Sequence, residues 1–148
     1  MTSDFPRRRV LVIAYYFPPM GLSGVQRTLK FVKYLPQYNW QPTVLTVQPR
    51  GYYATDESLL QDLEGRDVHI ERTGAAGPGK LLSKKAEIRL PAEWMRKLMS
   101  RVSDTIFIPD NKIGWKRKAV AAGLRLAQGQ KFDLIFATAP PFTDFLIG

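Results

Sequence analysis

The segment "RVLVIAYYF", residues 9–17, is apolar or aromatic at every position after Arg9 and stops at Pro18 and Pro19. A continuous run rich in Val and Ile, without polar alternation, suits a strand covered on both faces, as in a parallel sheet. From Val25 the period changes. Val25, Leu29, Val32 and Leu35 fall on one side of a helix, with Arg27, Lys30 and Lys33 mostly off it. Pro36 disfavours helical geometry at Leu35, and Asn39 can take the left-handed conformation that closes a helix. A second apolar run, "PTVLTVQP", follows between prolines. Strand, turn, helix and strand make a βαβ unit, which commits the chain to an α/β fold with a parallel sheet flanked by helices.

The rest of the chain extends that pattern. "DESLLQDLEG" reads as a short acidic helix, "DVHIERT" as a third strand and "GAAGPGK" as a break. "NKIGWKRKAVAAGLRLAQGQ" predicts a helix capped by Asp110 or Asn111 and ending at Gly129. "FDLIFATAPPF" is then another buried strand that ends on two prolines, and "TDFLIG" reads as the first turn of a further helix. A helix that has barely begun suggests a piece of a longer protein. Arg7, Arg8 and Arg9 before the first apolar run mimic a secretory leader, but prolines follow instead of a cleavage site, and no stretch approaches the roughly 18 apolar residues of a membrane span.

Composition removes several chemistries. There is no cysteine, which excludes disulfides, thiolate metal sites and cysteine nucleophiles. His69 is the single histidine, so a histidine metal cluster is out and a Ser-His-Asp triad would have to use this residue, which reads as one position of the third strand. No metal site is expected. The net charge of +9 is concentrated: residues 80–131 hold 13 of the 22 basic residues and 4 of the 13 acidic ones. Within that region, "LPAEWMRKLMSRV" sets Leu90, Trp94, Leu98 and Val102 on one side, joined by Met95 and Met99, with Arg96, Lys97 and Arg101 elsewhere. Such a helix can lie on an anionic membrane surface, through Trp94, Arg96, Lys97 and Arg101, or pack on its own protein. No nucleic-acid module is recognisable, and no nucleic-acid partner is expected.

Ligands of doubly wound sheets bind outside the carboxyl ends of the strands, where "FPPMGLSG" and "APPF" both fall. A helix N-terminus there offers N–H groups and partial positive charge to a phosphate. Gly21, Ser23 and Gly24 allow close approach, Ser23 can instead cap the helix, and Gln26 and Arg27 lie in its first turn, where a guanidinium adds charge-assisted hydrogen bonds. Neither G-x-G-x-x-G nor G-x-x-x-x-G-K-[ST] occurs, and no acidic residue closes the second strand to take a ribose hydroxyl. A simple tight turn fits this stretch as well.

Three stretches together resemble a known family. "YYFPPMGLSGVQRTLKFVKYLPQYNWQPTVLTV", "IPDNKIGWKRKAV" and "FDLIFATAPPFTDFLIG" are similar, in that order, to the N-terminal part of bacterial glycosyltransferases of family 4, while residues 50 to 105 carry little likeness. The resemblance implies a Rossmann-like domain of a GT-B enzyme: residues 1–148 would be an incomplete acceptor-side domain, with the donor-binding C-terminal half absent from this chain. It implies sugar transfer with retention from a nucleotide-sugar co-substrate to a glycan or lipid-linked acceptor, without a cofactor or protein-bound metal. By position, Gly21, Ser23, Gly24, Gln26 and Arg27 would meet the donor diphosphate, whereas Leu22 stands where many relatives have glycine. Tyr16, Pro140, Pro141, Phe142 and Thr143 would line the acceptor side, although Pro140 and Pro141 can equally end a strand with Thr143 as a helix cap. Asp110 reads as a cap, Trp115 as a packing residue and Asp133 as a loop end. No general base stands out. The location implied is cytoplasmic, peripheral at the inner membrane face, and the fragment alone would be inactive. The alternative is a non-catalytic Rossmann-like module that binds an anionic membrane surface or partner.

Overall fold

The structure is a computed structural model that describes residues 6–21, 23–49, 54–75 and 110–148. Four parallel strands, β1 (Arg8–Ile13), β2 (Trp40–Val47), β3 (His69–Thr73) and β4 (Leu134–Ala137), form one sheet in the order β3-β2-β1-β4. β1 is bonded on both sides: Val10, Leu11, Val12 and Ile13 stand opposite Pro42, Thr43, Val44 and Leu45 on β2 and opposite Leu134, Ile135, Phe136 and Ala137 on β4. The chain builds outward through β2 and β3, then returns to add β4 on the far side of β1.

That reversal decides where the helices lie. Crossovers of constant hand put helices on opposite faces when the chain moves in opposite directions along a sheet. Accordingly α1 (Ser23–Tyr34) covers the face that carries Phe136, whose ring meets Phe31 at 5.6 Å. The other long helix, α3 (Lys116–Gly129), covers the opposite face: Gly123 lies against Leu45, Arg125 pairs with Glu71, and Gln130 just beyond it donates to Thr43. The core is the two layers so formed, with Val25, Leu29 and Val32 of α1 and Val12, Val44 and Leu45 of the sheet fully buried.

Element ends follow from local chemistry. β1 stops at Ile13, four residues short of the expected Phe17; Ala14 and Phe17 stay buried beyond its end, and Tyr15 and Tyr16 are partly buried. α1 passes at Leu35 into a 3-10 turn, η1 (Leu35–Tyr38), which accommodates Pro36 near its start and closes on Asn39 in the left-handed region at φ 63°. Only Ser58–Gln61 of the acidic segment forms a helix, α2, with Asp56 Oδ1 accepting from the Ser58 amide and hydroxyl. Asp62 just beyond it pairs with Lys30 and Lys33 of α1, and these two ammonium groups hold its carboxyl down at about 2. The predicted 20-residue helix begins instead as a 3-10 turn, η2 (Ile113–Trp115), before α3. Asp133 ties the entry of β4 to β1 by a reciprocal pair, its carboxylate accepting from Arg9 N and its own amide donating to Arg9 O, both at 2.8 Å. A further 3-10 turn, η3 (Phe142–Leu146), stands where the opening of a helix was expected.

β4 is the least covered strand. Leu134 and Ile135 are 48% and 50% exposed, although their partners Val10 and Leu11 are buried. By contrast Val32 has no exposed surface, and a carboxylate there would have to be buried without a cation, at a cost of several kcal/mol. Val32→Asp is therefore expected to abolish the cooperative urea transition seen for the parent chain by circular dichroism.

Candidate functional site

The strand order reverses between β1 and β4, so the crevice outside their carboxyl ends is the place where a doubly wound sheet binds ligands. Both double-proline turns stand there, Pro18–Pro19 after β1 and Pro140–Pro141 after β4. Arg27, in the first turns of α1, spans to the second: its Nη2 donates to Thr138 Oγ1 at 2.7 Å and to the Ala139 carbonyl at 2.6 Å. Both acceptors are neutral, and the guanidinium is exposed, so its charge stays available at the crevice.

The first proline turn is held from the other side. The Gly21 amide donates to Ala54 O at 2.9 Å, the Asp56 amide donates to Pro19 O at 2.7 Å, and Met20 and Thr55 form an antiparallel bridge. A Cβ on Gly21 would stand 3.3 Å from Asp56 Cβ. The glycine thus serves the packing of residues 54–56 against the turn, and its N–H is already bonded. Gly24 differs, since a Cβ there would meet nothing within 4 Å. Gln26 is exposed beside it. Arg72 braces the same turn by donating from Nη2 to Pro18 O, and its Nη1 is buried without a hydrogen-bond partner. Burial lowers the pKa of this arginine, against the opposing charge of Glu57.

The second turn rests on a pair of carboxylates. Asp110 Oδ1 accepts from the Lys112 amide at 2.8 Å and from the Thr143 hydroxyl at 2.7 Å, and its Oδ2 accepts from the Thr143 amide at 2.8 Å. Burial works to raise the pKa of Asp110, but the Thr143 hydroxyl and amide and the Lys112 and Phe142 amides outweigh it and hold the group below its usual value. Asp144 is buried. Its Oδ2 accepts from the Tyr15 amide at 3.0 Å, while its Oδ1 has no hydrogen-bond partner. Burial, opposed by the Tyr15 N–H and reinforced by the charge of Asp110, pushes its pKa up to about 7. Tyr15 joins these groups to the core, with Trp115 edge-on at 5.3 Å and the Lys112 ammonium 5.3 Å from its ring centroid. Trp115 is fully buried and donates from Nε1 to Thr73 Oγ1 at 2.6 Å.

Among the expected site residues, Arg27 is thereby brought to the residues just before Pro140. Tyr16 is half-buried after β1, its ring 5.1 Å from that of Tyr15. Pro140 and Phe142 are exposed, whereas Pro141 and Thr143 are buried. Thr143 does not cap η3, whose N-cap is Pro141; it supports the turn through Asp110. Ser23 opens α1. Leu22, Trp94 and the basic residues Arg96, Lys97 and Arg101 lie outside the described residues, as does the whole predicted helix of residues 81–104. His69 opens β3, at the end of the sheet opposite the crevice, and is exposed. Among the described residues no group of three or more His, Asp or Glu side chains can hold a metal ion.

Asp144 was not singled out from sequence. The available signal was a lone acid inside "PFTDFLIG", between Phe142 and Phe145.

The fold and rim define a small α/β domain with a four-stranded parallel, Rossmann-like sheet. No family model, curated protein or solved structure matches the chain.

Hydrogen bonds to a charged group are worth about 1.5–3 kcal/mol, and Thr143→Val removes the hydroxyl donor to Asp110 while keeping the side-chain volume. The variant is expected to lose about that much in urea denaturation at pH 7, and Thr143→Ser to lose less.

Proposed function

We propose that this chain is the acceptor-side domain of a family 4, GT-B type glycosyltransferase, which moves a sugar from a nucleotide-sugar to a glycan or lipid-linked acceptor. The observation that carries the proposal is Arg27. It places an exposed guanidinium, bonded among the described residues to the neutral acceptors Thr138 and Ala139, across the crevice between β1 and β4. The two proline-ended strands and the order of the three stretches that resemble the family support it.

In this reading the donor half belongs to a C-terminal domain outside the sequence, and the crevice forms one wall of the cleft. Transfer breaks the bond between the anomeric carbon and the diphosphate oxygen, so negative charge grows on the departing nucleoside diphosphate while the acceptor hydroxyl attacks and loses its proton. Arg27 and the N-terminus of α1 stabilise that growing charge. A helix terminus contributes about 0.3–1 kcal/mol, and a guanidinium in charge-assisted contact contributes more. The bonded Gly21 amide takes no part, which leaves the backbone from Gly24 onward and the Arg27 side chain as phosphate contacts. Tyr16, Pro140 and Phe142 line the acceptor side, with Pro141 and Thr143 behind them.

A second reading has one observation in its favour. α3 carries Lys116, Arg117, Lys118 and Arg125 and no acidic residue, and Leu124 on it is exposed. That face suits peripheral contact with an anionic surface, at the inner side of the cytoplasmic membrane, with or without catalysis. Among the described residues no helix is long and apolar enough to cross a membrane.

In the full-length enzyme, Arg27→Ala is expected to lower kcat/KM for sugar transfer at least about tenfold, equivalent to about 1.4 kcal/mol of lost transition-state stabilisation, with little change in melting temperature. Steady-state kinetics and thermal melts on the same preparations check it. Unchanged kinetics would remove Arg27 from the mechanism.

A further inference from the structure

The two edges of the sheet are unlike. At one, β3 carries His69, Glu71 and Arg72, and Arg125 of α3 pairs with Glu71. Charged side chains of this kind discourage a further strand. At the other, β4 has neither charge nor proline, and only its shortness limits pairing. Among the described residues no strand lies beyond it, and Leu134 and Ile135 are half-exposed.

The direction of the β1 backbone decides which groups of β4 are left over. Arg8 N donates to Asn39 O and Ala14 N donates to Leu45 O, both at 3.1 Å, so the even-numbered residues of β1 turn to β2 and the odd-numbered ones to β4. Bonded residues of a parallel ladder are staggered by one, so Leu134 and Phe136, level with Val10 and Val12, face β1. Ile135 and Ala137 therefore direct their N–H and C=O groups to the open edge.

That pair is self-complementary. A two-fold axis normal to the sheet sets Ile135 of one copy opposite Ala137 of another in antiparallel register, and each N–H of the pair then finds a C=O. A two-fold axis along the strands fails, because it holds like residues level where a parallel ladder needs the stagger. The side chains agree with the antiparallel register. Phe136 comes to the axis and meets Phe136 of the second copy in the closer, non-hydrogen-bonded pairing, with the half-exposed Phe31 ring 5.6 Å from it. On the opposite face, where Gly148 lies close to both side chains, Ile135 covers Ala137 of the other copy.

We propose that β4 pairs in this register with β4 of a second copy of the chain, so that one sheet runs across the two-fold axis. The inference is independent of the glycosyltransferase reading. An interface built on so short a strand belongs with transient contacts, and the +9 charge of each copy opposes it in dilute salt.

The full chain tests this by residue-resolved hydrogen exchange and by sedimentation equilibrium from about 10 μM to about 1 mM, in dilute buffer and at about 0.5 M salt. The expected result is a monomer–dimer equilibrium that salt strengthens. For a Kd of about 100 μM, the Ile135 and Ala137 amides exchange about fourfold more slowly at the upper concentration, while those of Leu134 and Phe136 are protected throughout. Ile135→Lys sets an ammonium group on the edge at a half-exposed position, so it is expected to keep its melting temperature and to sediment as a monomer over the whole range. Four outcomes each overturn the pairing: a monomer at every concentration, a dimer in which the Ile135 and Ala137 amides stay fast, protection of these amides that does not depend on concentration, as a covering segment of the same chain would give, or a folded Ile135→Lys that still dimerises. Exchange and sedimentation of the parent chain need no variant, so they decide the matter even if Ile135→Lys fails to fold.

Discussion

The fold depends on β1 being enclosed from four directions at once. Its backbone is bonded to β2 on one edge and β4 on the other, while α1 and α3 close its two faces. A strand in that position has no tolerance for polar side chains, and Val10 to Ile13 supply none. The same enclosure creates the crevice. Because β1 is the strand from which the chain first moves one way and later the other, the connections leaving its carboxyl end and that of β4 diverge, and the space between them is left for Arg27 and the two proline turns.

Much of the scaffold could be read directly from residue pattern, and the reasons are local. Val25, Leu29 and Val32 recur at helical spacing, and all three are buried in α1; Asn39 takes the left-handed conformation that its position suggested. The strand order was not legible: a βαβ unit places β2 beside β1, but nothing in the residue pattern says that β4 returns to the far side of β1. Ends were harder to place. An apolar run looks the same in a strand and in a buried connection, which is why "AYYF" was assigned to β1 although the strand ends at Ile13. Similarly, helical spacing after Asn111 does not distinguish the 3-10 turn at Ile113–Trp115 from the α-helix that follows.

The rim was only partly visible for a different reason: its interactions join residues far apart in the chain. Arg27 was identifiable as a cation in a first helical turn, but its neutral partners lie 111 and 112 positions away. Asp110 was assigned as a cap and does receive the Lys112 amide, yet its stronger commitment is to Thr143. Asp144 meets Tyr15 across 129 positions, and nothing in its immediate neighbours announces a buried carboxyl. Gly21 shows the reverse case. Its smallness suggested access for a ligand, whereas the space is taken by the segment that carries Asp56.

The uncovered flank at β4 has a consequence for how the chain behaves as a material. A short strand with half-exposed Leu134 and Ile135 at the open side of the sheet offers another molecule both a hydrogen-bonding backbone and an apolar surface. Like charge works against such contact at a distance, since each copy carries +9, but salt removes that protection. Among the described residues no strand lies beyond β4, so this edge is where added salt, by screening the +9 charge, would favour contact between copies.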